Sequence, residues 1–323
     1  MILILTTQAG DYSHIKIIDW LSYLKANFLI ITGEGILNGR EKLSITNGEI
    51  FYNDINLSKE VTCVFYRRWI TGSEIRIIDD EELNTNLNRN LVAEMLEIRT
   101  FLWNNLKNAI WIPEVGPVSV NKLSNLDLAK SIGFNVPDYM VTNSKDDLNR
   151  FFLKNEGKII TKAIGNFQNA QTMDGFLVNS IYTKQVDTTL IKLLPEKFAL
   201  SFFQKLIEKK HEYRILYFNK KCYSALILSQ EQELTKIDSR LQDEDAEARL
   251  VPVDISEKLS HTIIQFMEKL NLNTGCLDFL HGLDDKYYFL EVNPVGQIGG
   301  YSERCLLNFE KDIVLELIRI DNE

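Results

Sequence analysis

Asp278, Glu291 and Asn293 are the residues of this chain whose types and spacing point most directly to chemistry. They lie in two short apolar runs, GCLDFL and YYFLEVN, joined by HGLDDK. Residues two apart on a strand share a face, so Glu291 and Asn293 project together while Leu290 and Val292 project the other way. A hairpin folded about the Asp284-Asp285 pair sets Asp278 opposite Glu291. Two carboxylates facing each other across a ladder repel, and Phe279, Leu280, Phe289 and Leu290 make this a buried hairpin where unpaired charge is costly. A divalent cation resolves both problems. Mg²⁺ takes a few carboxylate or amide oxygens and fills its octahedron with water and substrate phosphates. The plainer alternative is a solvated hairpin face that tolerates its acids.

Phosphates would need positive charge at separated points. Lys162 ends the strand GKIITK (157–162) before the polar stretch AIGNFQNAQTMDG (163–175), so an ammonium can reach phosphate oxygens while loop amides cover them. That stretch is poor in glycine, with only Gly165 and Gly175. Lys122 opens the preceding helix, where a cation opposes the helix dipole and fits either an anion partner or solvent. Arg214 interrupts the apolar strand HEYRILYF, which fits a phosphate contact or an ion pair to Glu212 or a neighbouring acid. Arg240, in IDSR, fits a triphosphate contact or a surface position.

Around these residues the chain alternates strand and helix periods. MILILT, an amphipathic run over 13–26 and FLIIT (28–32) predict a βαβ start. Asn47-Gly48 predicts a type I′ hairpin between LSIT and EIFY, followed by a strand at VTCVFYRRW (61–69). Leu83, Leu87, Leu91, Met95, Ile98 and Leu102 carry a long helix over 80–106, and AIWIP (109–113) is a strand. NKLSNLDLAKSIG predicts a helix ending at Gly133, and Ser144 caps another. FLVNSIYT, FALSFFQKLI, EYRILYF and CYSALIL are strands. An irregular acidic stretch over 229–250, including DEDAE (243–247), separates them from a helix near 254–270, the acidic hairpin and a last helix to about 320. The expected class is α/β (α+β), divided into 1–115, 116–190 and 191–323.

The chain has 323 residues, 45% of them hydrophobic and 25% charged, as an ordinary globular protein has. Its net charge of −9 argues against a dedicated nucleic-acid or anionic-membrane surface. No run reaches the roughly 18 apolar residues of a membrane span, and MILILTT reads as a strand rather than a signal peptide. Cys63, Cys222, Cys276 and Cys305 have no paired spacing, so reduced thiols in a cytoplasmic protein are expected. His14, His211, His261 and His281 are equally dispersed and read as surface or packing residues.

Taken together, the strand lysine before a polar loop, the run FFQKLIEKKHEYR and the closing Asp…Glu-x-Asn hairpin resemble the ATP-grasp fold over essentially the whole chain. More narrowly, VFYRRW, SNLDLAKSIGFNVPDYMVTNS, FFQKLIEKKHEYR and FLEVNPVGQIGGYSERC resemble the ATP-grasp maturases of graspetides (microviridin-type peptides). The last run, with NPVGQ leading to a Cys-containing final helix, is closest to the grasp-with-spasm branch. GQIGG follows a proline and reads as a turn entering that helix, not as a dinucleotide motif.

The resemblance implies a pre-ATP-grasp domain, a central subdomain and a C-terminal subdomain over the three ranges above. It implies ATP and Mg²⁺ as cofactors, with Lys122 and Lys162 on the ATP phosphates. Gln204, Lys205, Leu206 and Ile207 would form the interlobe hinge that reads adenine, and Glu208 would meet the ribose. Arg214, Arg240 and Lys162 would neutralise the transferring phosphoryl group, and Asp278, Glu291 and Asn293 would hold metal. The implied reaction activates Asp or Glu side chains of a precursor peptide as acyl phosphates and links them to Ser or Thr hydroxyls, or Lys amines. The partner would be a leader-bearing peptide with a core rich in Thr, Ser, Asp and Glu, bound near 144–155, and a homodimer is compatible. Arg67 and Arg68 would contact acidic core residues or pair with the acids of 79–82. A RimK-like ligase adding an amino acid to a carboxylate shares every motif of the ATP site. A nucleotide-gated peptide-binding module without catalysis is the alternative of another class.

Overall fold

The structure is a computed structural model and describes residues 1–8, 11–70, 78–114, 120–165, 171–173, 176–178, 183–229 and 249–323. Arg240, Gly175, DEDAE and positions 179–182 of FLVNSIYT lie outside the described residues.

The chain begins with β1 (Ile2–Thr6), α1 (Ile15–Tyr23) and β2 (Phe28–Thr32), the expected βαβ unit with both strands parallel. After α2 (Gly33–Leu37), β3 (Leu43–Thr46) and β4 (Glu49–Tyr52) form the predicted hairpin. Its turn residues Asn47 and Gly48 have φ of 52° and 90°, as a type I′ turn requires. β5 (Ile55–Asn56) and α3 (Leu57–Glu60) lead to β6 (Cys63–Tyr66), α4 (Glu81–Asn105) and β7 (Ile110–Ile112). The Asp80 side chain caps α4 at Leu83 N. The parallel sheet has the order β2-β1-β6-β7, so its growth reverses direction between β1 and β6. Crevices open beyond the carboxyl ends of strands at such a point, and Asp11, Arg67 and Arg68 follow those two strand ends.

α5 (Lys122–Ile132) ends at Gly133, whose φ of 104° is the left-handed conformation glycine adopts freely. β8 (Tyr139–Ser144), α6 (Lys145–Lys154), β9 (Ile159–Lys162), β10 (Gln171–Met173), β11 (Phe176–Val178), β12 (Lys184–Val186), α7 (Thr188–Leu193) and β13 (Lys197–Lys205) follow. Ser144 caps α6 at Asp147 N as expected. Four of these strands pair in the order β12-β9-β13-β8. β13, which lies past position 190, thus hydrogen-bonds to the strands before that position.

The remainder is β14 (Lys209–Phe218), β15 (Lys221–Leu228), β16 (Arg249–Pro252), α8 (Glu257–Lys269), β17 (Thr274–Gly282), β18 (Tyr287–Asn293), α9 (Gly299–Arg304) and α10 (Phe309–Asp321). Its antiparallel sheet runs β16-β15-β14-β17-β18. The GQIGG run does not enter the last helix directly, because Gly299 and Gly300 open the short α9. Cys305, expected in the final helix, instead ends α9. No helix among the described residues is long and apolar enough to cross a membrane, and all four cysteines are free thiols.

One buried cluster decides where the site forms. Leu126 and Ala129 of α5, and Phe134 just beyond it, pack with Phe279, Phe289, Val292 and the α8 residues Ile263, Phe266 and Met267. Phe134 stacks on Phe289 with centroids 5.5 Å apart. The Phe289 N–H also donates to the Asn135 carbonyl at 2.9 Å. These contacts lay α5 across the closing hairpin and bring its first residue, Lys122, to the acidic strand.

Candidate active site

The hairpin places Asp278 directly opposite Glu291, and Cys276 opposite Asn293. The expected pairing therefore holds, but by a different route. The Gly282 N–H donates to the Lys286 carbonyl, so the turn is centred on Asp284, with Asp285 left-handed at φ 61°. Phe279 then pairs with Phe289, one residue out of the expected register, and a bulge at Leu290 restores it at the acids. The bulge also corrects the expected facing: Phe289, not Leu290, joins Val292 in the core. A bulge locally twists the strand and re-aims side chains, and here it sits beside Glu291.

Repulsion between the two acids is relieved by cations of the protein itself. Arg214 lies opposite Asp278 on the other neighbouring strand, and its Nη1 donates to both Asp278 carboxylate oxygens at 2.8 Å. Asp278 is thus the neighbouring acid of the ion pair that the sequence allowed for Arg214. Its Nη2 donates to the Gln297 carbonyl at 3.3 Å, its guanidinium lies 5.2 Å from the Tyr301 ring centroid, and its Nε is buried without a partner. Glu291 Oε2 is 2.7 Å from Lys122 Nζ, which also donates to the Ala163 carbonyl at 3.4 Å. Lys162, at the end of β9, sits 5.8 Å from the Phe202 ring centroid. Asn293 Oδ1 accepts from the Val295 N–H at 3.2 Å.

The electrostatics split the two acids. Burial pushes Glu291 up, but Lys122, Lys162 and Arg214 outweigh it and hold its carboxyl below the usual range. Burial also pushes Asp278 up, and the Glu291 charge adds to burial, so that Asp278 stays raised despite Arg214. An acid held above its ordinary value beside one held below it is a pair whose charge is unevenly shared. Cys276, between Arg214 and Gln297, is a buried thiol pushed up chiefly by that burial, which disfavours the nucleophilic thiolate.

Two carboxylates and an amide oxygen form a hard-donor set suited to Mg²⁺. Among the described residues no group of three or more His, Cys, Asp or Glu could hold a metal by itself, so Asn293 or a bound substrate must complete any such site. Asn293 retains acceptor capacity on Oδ1 beyond its bond to Val295.

The hinge run is partly engaged. Gln204 is buried, and its amide nitrogen has no partner. The Lys205 N–H donates to the Asp138 carbonyl at 2.7 Å and the Leu206 N–H to the Lys158 carbonyl at 2.9 Å. Glu208 pairs with Lys158 at 2.7 Å. Ile207 is buried in the irregular link between β13 and β14.

Arg67 and Arg68 pair with one buried acid, Asp11, which sequence reasoning did not single out. Arg67 Nη2 lies 2.9 Å from Asp11 Oδ2 and Arg68 Nε lies 3.2 Å from the same oxygen. Arg67 Nη2 also donates to the carbonyls of Val295 at 3.2 Å and Gly296 at 2.8 Å, within NPVGQ. The available signal was an acid just after the first parallel strand, at the crevice end of the sheet.

Comparison with solved structures fits this architecture. The macrocyclase MdnC of Microcystis aeruginosa, solved with its precursor peptide MdnA, superposes with a TM-score of 0.78 at 20% identity over 99% of each chain. The likeness thus spans the whole chain, from the first parallel sheet to the closing acidic hairpin. The chain has the ATP-grasp fold. A RiPP-associated ATP-grasp ligase of Chryseobacterium gregarium, solved with ADP and a leader and core peptide, gives 0.77 at 24% identity, covering 99% of this chain and 93% of that one. The ATP-grasp ligase PsnB, solved with a minimal precursor variant, Mg and ADP, gives 0.78 at 18% identity over 99% and 98%. No protein-family model and no curated protein sequence matches the chain.

Proposed function

We propose that this protein is an ATP-dependent ligase that forms side-chain links within a ribosomal precursor peptide, as a graspetide maturase. The observation that carries the reading is the facing pair Asp278 and Glu291, met by Lys122, Lys162 and Arg214 in a chain of ATP-grasp fold. The solved relatives of this fold include a macrocyclase with its precursor and peptide ligases with ADP, one of them also with Mg.

In the first step a substrate Asp or Glu carboxylate oxygen attacks the γ-phosphorus of ATP. The bond to the β-phosphate oxygen breaks, releasing ADP and leaving an acyl phosphate. In the second step a Ser or Thr hydroxyl, or a Lys amine, attacks the acyl carbon. Phosphate leaves, the attacking atom loses its proton, and each ester or amide accounts for one water. Asp278, Glu291 and Asn293 would hold magnesium, which spreads charge from the phosphates when bound. Lys122 and Lys162 supply fixed positive charge where phosphate charge develops. Arg214 orients Asp278 and neutralises the acyl phosphate, and Arg240 is assigned to the triphosphate. Gln204 to Ile207 face the adenine, and Glu208 exchanges Lys158 for the ribose. Positioning, rather than a strong general base, drives the second step.

Arg68 is the substrate-side cation of this reading. Its side chain is 36% exposed and only its Nε is used on Asp11, so its outer fork suits an acidic core residue. Leu153, Leu193 and Leu200 are exposed on α6, α7 and β13, which supports leader binding on the central sheet and its helices. The reading keeps three parts, with β13 counted in the central one by its pairing with β8 and β9, and a cytoplasmic location, and a homodimer is compatible with it.

Co-expression with an adjacent short peptide rich in Thr, Ser, Asp and Glu, followed by mass spectrometry, tests the reaction. Loss of one water per link is expected. A gain in mass would favour the RimK-like ligase, and ATP binding without any product would favour the non-catalytic module. Lys162→Ala and Asp278→Ala should each abolish dehydration while leader binding survives. Full dehydration by either variant would overturn the assignment.

A further inference from the structure

The NPVGQ turn carries Asn293 at its start and the Gln297 carbonyl that receives Arg214 at its end. A turn holding two site contacts needs its own fixation, because a ligand is only as well placed as the groups behind it. Backbone hydrogen bonding inside the turn is slight: Asn293 Oδ1 takes the Val295 N–H, and the Asn293 carbonyl takes the Gly296 N–H at 3.1 Å. The turn is also packed to its limit. A Cβ on Gly296 would sit 2.8 Å from Cys276 Cβ and 3.0 Å from Arg214 Nη2.

The outer hold comes from the first part of the chain. Arg67 Nη2 donates to the Val295 and Gly296 carbonyls and to Asp11 Oδ2 at once. Asp11 Oδ1 accepts the Ser13 N–H at 2.9 Å, and Ser13 Oγ accepts the Ile298 N–H at 3.3 Å. The Arg67 side chain is 4% exposed and the Asp11 side chain 0%. A guanidinium this deep persists because its charge is matched and its Nη2 aims at fixed acceptors, although its Nε is buried without a partner. We infer that Arg67 is a positioning residue: backed by Asp11, it clamps the Val295-Gly296 turn and thereby sets the placement of Asn293 and Arg214. Enclosed by Asp11 and the turn, it acts through the turn. The inference rests on the ligase reading for its consequence on magnesium, but not for its consequence on the turn.

The test uses the full chain with two readouts. Hydrogen exchange at the Val295 and Gly296 amides, without nucleotide, reports the clamp itself. Mg²⁺ titration with ADP, followed by thermal shift, reports the consequence. Arg67→Met should speed exchange at both amides and raise the half-saturating Mg²⁺ concentration by about tenfold, the usual scale for removing a supporting contact of a ligand. All three acceptors meet one nitrogen, so a Lys ammonium with three donors should recover part of both effects. Lys59→Met, which removes only an exposed pair with Glu49, should change neither. If Arg67→Met does not fold, Arg67→Lys and Asp11→Asn carry the same two readouts in milder form. Unchanged exchange and unchanged Mg²⁺ dependence in the folded variants would overturn the inference. Failure of the wild type to bind Mg²⁺ with ADP would instead count against the ligase reading, with exchange still reporting on Arg67.

Discussion

Two acid–arginine clusters lie on either side of the NPVGQ turn, and they are built on opposite plans. At Asp11 one acid serves two arginines. Burial pushes that acid up, but Arg67, the Ser13 hydrogen bonds and Arg68 hold it below its ordinary value of 3.8. At Asp278 and Glu291 two acids share three cations, and Asp278 is held above that value. The first cluster is closed, with no acid charge to spare. The second keeps an acid in excess of its comfort, facing lysines whose partners can change. The two clusters thus differ in how fully the surrounding cations satisfy their acids.

Removing an arginine from each cluster should break the comparison most visibly. Breaking a deeply buried ion pair costs about 3–5 kcal/mol because the remaining charge is left uncompensated. Arg67→Met leaves the fully buried Asp11 carboxylate with only the Nε of Arg68 and the Ser13 hydrogen bonds, so its unfolding free energy from urea titration should fall by that amount. Arg214→Met strands Asp278, whose side chain is 25% exposed. Water can share that charge, so a loss of about 2 kcal/mol is expected. Equal losses would remove the distinction between the clusters.

Acid unfolding sharpens the same contrast. Asp11 is depressed in the folded state, so its stabilisation is present above 3.8 and is lost as pH falls through its lower folded value. Asp11→Asn should therefore fall furthest behind the wild type at neutral pH, and the gap should close below 3.8. Urea midpoints measured across the acid range check this. A gap that widens in acid would mean that Asp11 is not the depressed group.

The two clusters also differ in how far they could be read from sequence. Asp278 opposite Glu291 was legible because strand period and hairpin length are local. Even so, the turn centre and the Leu290 bulge were not, and two one-residue shifts cancelled at the acids. Lys122 and Lys162 were legible as cations at element ends, but the Lys122 contact with Glu291 depends on α5 packing over the hairpin through Phe134. The Asp11 cluster joins segments near 11, 67 and 296, and no periodicity reports such a meeting. The YRR pair was visible as unusual charge in an apolar strand, while its partner acid was not. The hinge run was legible as a strand, but its pairing with β8 and β9 is again a property of the assembled sheet.

The smallest stability effect belongs to Arg68, and it separates the two arginines of one motif. Arg67 and Arg68 are consecutive just past β6, and both reach the same Asp11 Oδ2. One is enclosed by the turn, whereas the other is 36% exposed and reaches Asp11 only through Nε at 3.2 Å. Exposed ion pairs contribute about 0–1 kcal/mol, and Asp11 keeps Arg67 when Arg68 is gone. Arg68→Met should thus leave the urea midpoint within about 1 kcal/mol of wild type. If its outer fork holds an acidic core residue, the same variant should raise the KM for precursor peptide while leaving the KM for ATP unchanged. An unchanged peptide KM would return Arg68 to the closed cluster, as a second partner of Asp11 and nothing more.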